Sequence, residues 1–176
     1  RETAPLRNSI ERGIIRWVVP ENIHLTLKFL GNKSEESFYT LKQILPEKIV
    51  QYPAFDITLK NVGVFPNISR PNVIWLGVED SSKLFSLQKS VEKVASQIGS
   101  VPEKRRFSAH LTLGRVSRKG YSKQSRAKIR IMLEKNPGYD FGKVRVKSIH
   151  LFESQLKESG AEYRSLFEAK LGEFFE

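Results

Sequence analysis

The segment His-Leu-Thr-Leu occurs twice in the chain, once beginning at His24 and again, unchanged, at His110. The protein has only three histidines, and two of them begin these segments. In an extended strand, alternate side chains point to the same face. His24 therefore shares a face with Thr26, and His110 shares a face with Thr112, while the leucines point to the opposite face. Two such strands set side by side would gather two imidazoles and two hydroxyls around one small cavity.

This set of side chains suits the hydrolysis of a phosphodiester. An unperturbed imidazole has a pKa of about 6.5, so near neutral pH one ring can be neutral and another protonated. One ring can accept a proton while the other donates one, and general acid–base assistance of this kind supplies about 10²–10⁴-fold. The two threonine hydroxyls can donate to phosphate oxygens and stabilise the charge of the transition state.

The charge balance of the chain is strongly basic. Lysine and arginine total 30 residues against 19 aspartates and glutamates, a formal net charge of +11. Such an excess attracts polyanions such as nucleic acid, although a basic surface kept for solubility would show the same balance. From residue 115 to 135, the basic residues are Arg115, Arg118, Lys119, Lys123, Arg126, Lys128, Arg130 and Lys135, against Glu134 alone. This cluster starts five residues after the second motif histidine, which favours an anionic substrate.

Residues that usually bind metals are scarce. Cysteine is absent, the three histidines are dispersed, and no carboxylate cluster accompanies the motifs. Structural and catalytic metal sites draw on such clusters. We therefore predict no metal site and no cofactor.

Two further residues are assigned structural roles. His150 has no threonine two residues later and is predicted to be structural. Phe29 could stack on a base, but a strand phenylalanine is more often a core residue, which is our prediction here. No apolar run reaches the length of a membrane span and no signal peptide is visible, so we expect a cytoplasmic protein with no membrane association.

The periodicity of apolar residues predicts a chain that mixes strands and helices. The predicted strands are 13–19, 23–30, 54–65, 72–79, 107–116, 141–153 and 162–171. Predicted helices follow residue 34 and cover 82–98 and 122–134. Ser34 or Asn32 caps the first helix and Pro46 ends it, while Gly99 ends the second.

The order of these segments indicates an internal duplication. The two motifs lie 86 positions apart, and the same offset aligns Phe55 with Phe141 and the strand of Trp75 with the strand starting at Ala161. We therefore predict one domain over residues 1–176, built as two duplicated α+β lobes related by a pseudo-twofold axis. Under that symmetry the two motif strands meet near the axis.

The motifs and their flanks resemble the two signatures of the 2H phosphoesterase superfamily. The segments are His-Leu-Thr-Leu-Lys-Phe-Leu-Gly at 24–31 and His-Leu-Thr-Leu-Gly-Arg at 110–115. Within this superfamily the chain is most similar to the RNA 2′,3′-cyclic phosphodiesterases, historically called 2′-5′ RNA ligases. Supporting segments lie at 16–18, 63–66, 75–78 and 151–154. The resemblance implies an α+β fold of two pseudo-symmetric lobes, with antiparallel sheets flanking a central cleft and helices on the outside.

The resemblance also implies an activity. This is metal-independent hydrolysis of RNA 2′,3′-cyclic phosphate ends to 2′-phosphomonoesters, with 2′-5′ ligation as a minor reverse reaction. It implies that His110 activates the water and that His24 protonates the leaving 3′-oxygen, roles that the symmetry of the motifs cannot assign. Thr26 and Thr112 are implied to bind the phosphate. The expected partners are RNA ends carrying a cyclic phosphate, tRNA fragments among them, and we expect a monomer.

Arg115 is a further phosphate-binding residue that the resemblance implies. It lies an odd number of positions after His110, so strict alternation would put it on the opposite face of the strand. A bulge or turn at Gly114 could bring it to the same face.

Two other functions stay open. The chain could be a non-catalytic module that binds RNA ends with an inherited pocket, although intact histidines and threonines in both motifs argue against it. It could also be a phosphodiesterase for another small substrate, such as a cyclic nucleotide or an ADP-ribose cyclic phosphate. Members of the family usually begin with a short strand and a helix before the segment of Trp17. We expect that strand to be lacking here, with a helix remnant in Arg1–Arg12.

Overall fold

The computed structural model describes residues 10, 13–79, 81–117, 122–135, 138, 140–157 and 160–173. The chain divides into two compact units. The first unit is formed by the described residues of 1–26, 58–79 and 109–144, and the second unit by those of 27–57, 80–108 and 145–176. Except for Ile10, the predicted helix remnant lies outside the described residues, and so do Arg118 and Lys119 of the basic cluster.

The described part of the chain contains seven strands and three α-helices. The strands are β1 (Ile15–Trp17), β2 (Phe55–Phe65), β3 (Val73–Val78), β4 (His110–Val116), β5 (Asp140–Val146), β6 (Ser148–Lys157) and β7 (Gly160–Lys170). The α-helices are α1 (Glu35–Ile49), α2 (Ser82–Gln97) and α3 (Lys123–Glu134). This mixture confirms the predicted α+β class. None of these helices is long and apolar enough to cross a membrane.

A five-stranded sheet has the strand order β1-β4-β3-β2-β5 and lies mostly in the first unit, although residues 55–57 of β2 and 145–146 of β5 belong to the second. Its β1–β4, β4–β3 and β3–β2 pairs are antiparallel. One face carries apolar side chains that are at most 5% exposed: Ile15, Ile74, Leu76 and Leu113. From α3, Ile129 and Met132 are buried in the same way. Each large apolar side chain removed from water in this way contributes about 1.5–3 kcal/mol.

The second unit holds the other two helices and a two-stranded antiparallel sheet of β6 and β7. In α1 the buried residues Leu41, Leu45 and Ile49 recur every fourth position, which gives the helix one apolar stripe. The helix packs against α2 and β7. The predicted cap is confirmed, because the Ser34 side chain accepts a hydrogen bond from the Ser37 N–H. The predicted stop of α2 is also confirmed, since Gly99 follows it with φ of +67°.

The prediction that Pro46 ends the first helix is wrong. α1 continues for one more turn, to Ile49. Proline removes one helical N–H donor, but Leu45 and Ile49 on either side of it are both buried. The Pro46 carbonyl also accepts the N–H of Val50 at 3.0 Å. Packing therefore holds the last turn.

The predicted strand 141–153 is two strands, β5 and β6, which belong to different sheets. Lys147 lies between them, and its carbonyl accepts the N–H of Leu171 at 2.9 Å. The chain has therefore changed its pairing partner at this point. Alternation of side chains records which residues are buried but not which strand is the neighbour, so the sequence showed one continuous strand.

The first motif is not the continuous strand predicted for 23–30. Leu25 makes a single antiparallel bridge with Leu111. The chain runs beside β4 as far as Val18, whose N–H donates to β4 at 2.8 Å, and then leaves the sheet through a 3₁₀ turn at Pro20–Asn22. Proline lacks the N–H that a continuing strand would need. Two short segments therefore share this edge of β4.

The order of elements after each motif is similar. After the first come α1, β2 and β3, and after the second come α3, β5, β6 and β7. α1 belongs to the second unit and most of the β2–β3 hairpin to the first, whereas α3 belongs to the first and the β6–β7 hairpin to the second. Neither unit is therefore one half of the chain. The single duplicated domain stays a prediction.

Candidate active site

All five predicted site residues lie in the first unit, and three of them are on β4. The pairing with β3 shows which face each occupies, because directly paired residues share a face. His110 pairs with Gly77, Thr112 with Trp75, and Arg115 with Val73. Since the three β3 partners are two positions apart, their side chains share one face. The three β4 residues therefore share it too, and we call it the motif face.

A β-bulge in β4 explains why Arg115 is on this face. Ile74 pairs with Gly114 and the next residue of β3, Trp75, pairs with Thr112, so that Leu113 is an extra residue in β4. One extra residue shifts the alternation by one position. The expectation was that a bulge or turn at Gly114 could bring Arg115 to this face, and the register contains a bulge at the preceding residue, Leu113.

The first motif lies across β4 from the second. Because Leu25 bridges Leu111 in the antiparallel sense, the residues that flank the bridge face each other in a crossed arrangement. His24 is opposite Thr112, and Thr26 is opposite His110. The leucines at the bridge point to the other face, as the twin motifs predict. Histidine and threonine thus alternate between the two segments of the motif face.

This arrangement makes the two histidines diagonal neighbours. Diagonal positions on one face of an antiparallel pair are about 7–8 Å apart, and directly opposite ones about 4.5–5.5 Å. Two imidazoles at the diagonal distance leave space between them for a tetrahedral phosphate, and the two threonines occupy the other diagonal. His24, Thr26, His110 and Thr112 are each partly buried, whereas Arg115 is exposed.

The orientation of His24 is set by the 3₁₀ turn before it. Its Nδ1 lies 2.8 Å from the Asn22 carbonyl oxygen. A carbonyl only accepts hydrogen bonds, so this contact requires a hydrogen on Nδ1. Nδ1 is therefore the nitrogen of this ring that donates to the backbone. The turn between the predicted strands 13–19 and 23–30 therefore determines which nitrogen of His24 contacts the backbone.

Aromatic rings surround His110. The ring of Phe65 meets it edge to face, with centroids 5.0 Å apart and planes at 82°. Trp75 lies 6.5 Å away at 61°. Gly63, opposite Trp75, leaves room for the indole, because a Cβ there would overlap the atoms of the ring. A larger residue at Gly63 would therefore displace the Trp75 ring, which contacts His110.

His150 and Phe29, which were predicted to have structural roles, lie in different environments. His150 is in the second unit, where its ring nitrogens lie 3.3 Å from the hydroxyls of Ser148 and Ser165. Phe29 is 81% exposed, so the prediction that it is a core residue is wrong. The strand that would have given it an inward face does not form in the first motif. Within the described ranges, no three histidine or carboxylate side chains converge as a metal site would require.

Sequence patterns did not identify every residue of the motif face. Phe65, Trp75 and Arg16 share it through the pairing of their strands. Arg16 is eight positions before His24, and a turn intervenes, so no spacing rule connects it with the motifs. Only the β1–β4 pairing reveals its place.

The chain matches known proteins along most of its length. The family model described as LigT like Phosphoesterase matches residues 1–75 and 76–163. An RNA 2′,3′-cyclic phosphodiesterase of Archaeoglobus fulgidus is 35% identical over 152 residues, which are 86% of this chain and 81% of that protein. An RNA 2′,3′-cyclic phosphodiesterase of Aeropyrum pernix is 34% identical over 170 residues, 95% of this chain and 93% of that protein.

Solved structures share the fold. The crystal structure of TT0787 of Thermus thermophilus superposes with a TM-score of 0.74 at 24% identity, covering 97% of this chain and 90% of that one. Escherichia coli LigT complexed with 3′-AMP gives a TM-score of 0.71 at 24% identity, over 94% of this chain and 86% of that one. The matches in sequence and in fold agree with the twin motifs, and the chain therefore belongs to the LigT-like phosphoesterase family of 2H phosphoesterases.

Proposed function

We propose that the chain is an RNA 2′,3′-cyclic phosphodiesterase that uses His24 and His110 as its acid–base pair and needs no metal. The observation that carries the proposal is the crossed arrangement of the two motifs, with the histidines on one diagonal of the motif face and the threonines on the other. The activity named for the A. fulgidus and A. pernix relatives supports the substrate class.

The reaction opens one of the two ester bonds in the cyclic phosphate. His110 accepts a proton from water as the water oxygen attacks phosphorus, and the bond from phosphorus to the 3′-oxygen breaks. His24 donates a proton from Nε2 to that oxygen, so the product is a 3′-hydroxyl with a 2′-phosphate. After one turnover His110 holds the proton that His24 has lost, and exchange with solvent restores both rings.

The hydroxyls of Thr26 and Thr112 donate to the non-bridging phosphate oxygens, and Arg115 adds a cation. Charge builds on those oxygens in the transition state, where preorganised donors are most effective. The Arg115 guanidinium offers paired N–H donors in a geometry that matches phosphate. In this proposal these three residues carry the role that a metal ion has in other phosphodiesterases.

The proposal extends to ligation of RNA ends and to the identity of the substrate. Attack by a 5′-hydroxyl instead of water would give a 2′-5′ linkage, and the high concentration of water makes ligation the minor reaction. The expected substrate is an RNA end with a cyclic phosphate, as in tRNA fragments, acted on by a monomer in the cytoplasm. The net charge of +11 supports a polyanionic substrate.

A product analysis tests the proposal. The protein is incubated with an RNA oligonucleotide that ends in a 2′,3′-cyclic phosphate, in the presence of excess EDTA, and the new end is identified by ³¹P NMR. We expect full turnover to a 2′-phosphate. A 3′-phosphate product would contradict the proposed bond cleavage, and loss of activity on chelation with rescue by zinc would contradict the metal-independent mechanism.

The same assay separates the alternatives. Tight binding of the oligonucleotide with no turnover of any cyclic phosphate would favour the RNA-end binding module. Turnover of a 2′,3′-cyclic mononucleotide or an ADP-ribose cyclic phosphate, but not of the oligonucleotide, would favour a small-molecule phosphodiesterase.

A further inference from the structure

An arginine outside the twin motifs lies directly beside Arg115. β1 pairs with β4 so that Arg16 is opposite Arg115, between the pairs Ile15–Val116 and Trp17–Gly114. Paired residues share a face, so Arg16 lies on the motif face. Both arginines are exposed.

Two arginines in a directly opposed pair are electrostatically unfavourable. Like charges opposite each other on a sheet lower stability. Of the residues that flank this pair, Ile15 is only 5% exposed on the other face of the sheet. An anion bound beside the pair interacts favourably with both charges and gains charge-assisted hydrogen bonds from the guanidinium groups.

The pair also has a defined position relative to the two histidines. Along β4, the residues on the motif face follow in the order His110, Thr112, Arg115. The first motif and β1 lie beside β4, and their residues opposite these three are Thr26, His24 and Arg16, in the same order. The arginines therefore lie at one end of the face, beyond the His24–Thr112 pair. A nucleotide whose phosphate is held between the histidines, and whose chain extends in that direction, meets both guanidinium groups.

We infer that Arg16 binds the phosphodiester next to the reacting end, on the 5′ side of the terminal nucleoside, while Arg115 binds the cyclic phosphate itself. This inference rests on the proposed function. It deepens that function, because a contact with the second phosphate makes the site prefer an RNA end to a free cyclic mononucleotide. In hydrolysis only the 5′ side carries a further phosphate, so Arg16 can meet no other one near the reacting end.

The test compares three substrates. The first is uridine 2′,3′-cyclic phosphate, which has no second phosphate. The second is the dinucleotide UpU with a 2′,3′-cyclic phosphate end, and the third is the same dinucleotide with an uncharged methylphosphonate link. We expect the wild-type protein to prefer the charged dinucleotide to both others in kcat/KM by about 10–100-fold, the usual effect of a hydrogen bond to a charged group.

Arg16→Gln should abolish this preference, so that the ratio of kcat/KM for charged to uncharged dinucleotide falls to about 1. Arg16→Lys keeps the charge without the paired donors and should retain part of the preference. The matched control is Arg145→Gln, which removes an exposed strand arginine of the second unit and should keep the wild-type ratio. A wild-type ratio in Arg16→Gln, or no wild-type preference for the charged link, would overturn the inference.

Failure of the proposed function gives a different result. The wild-type protein would then turn over none of the three substrates. In that case, calorimetry would compare how tightly the wild-type protein and Arg16→Gln bind the 2′-phosphorylated mononucleotide and dinucleotide. A loss of affinity for the charged dinucleotide alone in Arg16→Gln would still support the contact. Equal losses for both ligands would contradict it.

Discussion

At the scale of single residues, the types in the twin motifs carry most of the functional information. Histidine and threonine in a repeated His-x-Thr pattern predicted an acid–base pair with phosphate donors, and the crossed bridge at Leu25 and Leu111 places all four side chains on one face. For Phe29, residue type alone did not predict burial. It was predicted to be core from its residue type, and it is 81% exposed because its segment does not join the sheet.

The threonines can be tested by an isosteric change. Thr26→Val and Thr112→Val remove one hydroxyl each and keep the strand-favouring β-branched shape. Because each hydroxyl is proposed to donate to a phosphate oxygen in the transition state, each change should lower kcat by about 10²–10³-fold. Steady-state kinetics on a dinucleotide substrate measures this. Thr58→Val, the same change in β2 of the same unit, is the control and should retain activity; comparable losses in all three variants would remove the proposed role.

At the scale of elements, irregularities in the sheet position the site. The extra residue in β4 puts Arg115 on the motif face, and the 3₁₀ turn at Pro20–Asn22 holds His24 through its Nδ1. The bulge could be anticipated at Gly114, because a family arginine on the wrong face required one. The turn was not predicted: it lies between the predicted strands 13–19 and 23–30, and residues 23–30 form only a single bridge instead of a strand.

Gly114 is the residue that permits close packing of β1 on β4. A Cβ at this position would lie 2.6 Å from Cγ2 of Ile15 and 3.2 Å from the carbonyl oxygen of Arg16. Gly114→Ala should therefore destabilise the protein by about 1–3 kcal/mol through overpacking, and lower activity by moving Arg115. Chemical denaturation and kinetics measure the two effects.

Shortening Ile15 gives the control for this prediction. Ile15→Ala removes the atom that the new methyl group meets, although it leaves a cavity of its own. The double variant should be less destabilised than the sum of the two single variants, because the residues share one contact. Strict additivity would show that the clash does not determine the effect.

At the scale of the whole molecule, the sequence predicted the α+β class and the family, but not how the elements are distributed between the two units. Each unit takes its residues from three separate stretches of the chain. Periodicity identifies a buried face, but the partner that buries it depends on tertiary packing. For this reason 141–153 was predicted as one strand, although it supplies β5 and β6 to two sheets.

The basic charge of the molecule has a consequence for long RNA. Backbone contacts release counterions, so affinity for a long RNA should fall about 10³-fold or more between 50 and 200 mM salt if six or more phosphates are bound. Hydrolysis of a cyclic mononucleotide, which reaches only the site, should change little. Replacing Arg118, Lys119 and Lys123 by glutamine should weaken the binding of long RNA, as measured by fluorescence anisotropy.

The matched control for this change is the replacement of Lys48, Lys83 and Lys89 by glutamine, three exposed lysines on the helices of the second unit. Both triple variants lose the same charge, so a general electrostatic effect would weaken RNA binding equally in the two. The cluster that follows the second motif is supported only if its variant loses more affinity. Arg115→Ala should impair turnover of both long and short substrates, because its contact is with the reacting phosphate.

The central claim is that His24 and His110 act as one acid–base unit, and the most direct measurement is the turnover of a cyclic phosphate dinucleotide by the single and double alanine variants. His150→Ala, in the second unit, is the matched control and should keep the wild-type rate. We expect each single variant to lose at least about 10²-fold in kcat, and the double variant to be little worse than the poorer single one. A wild-type rate in either single variant, or losses that multiply in the double variant, would contradict the account.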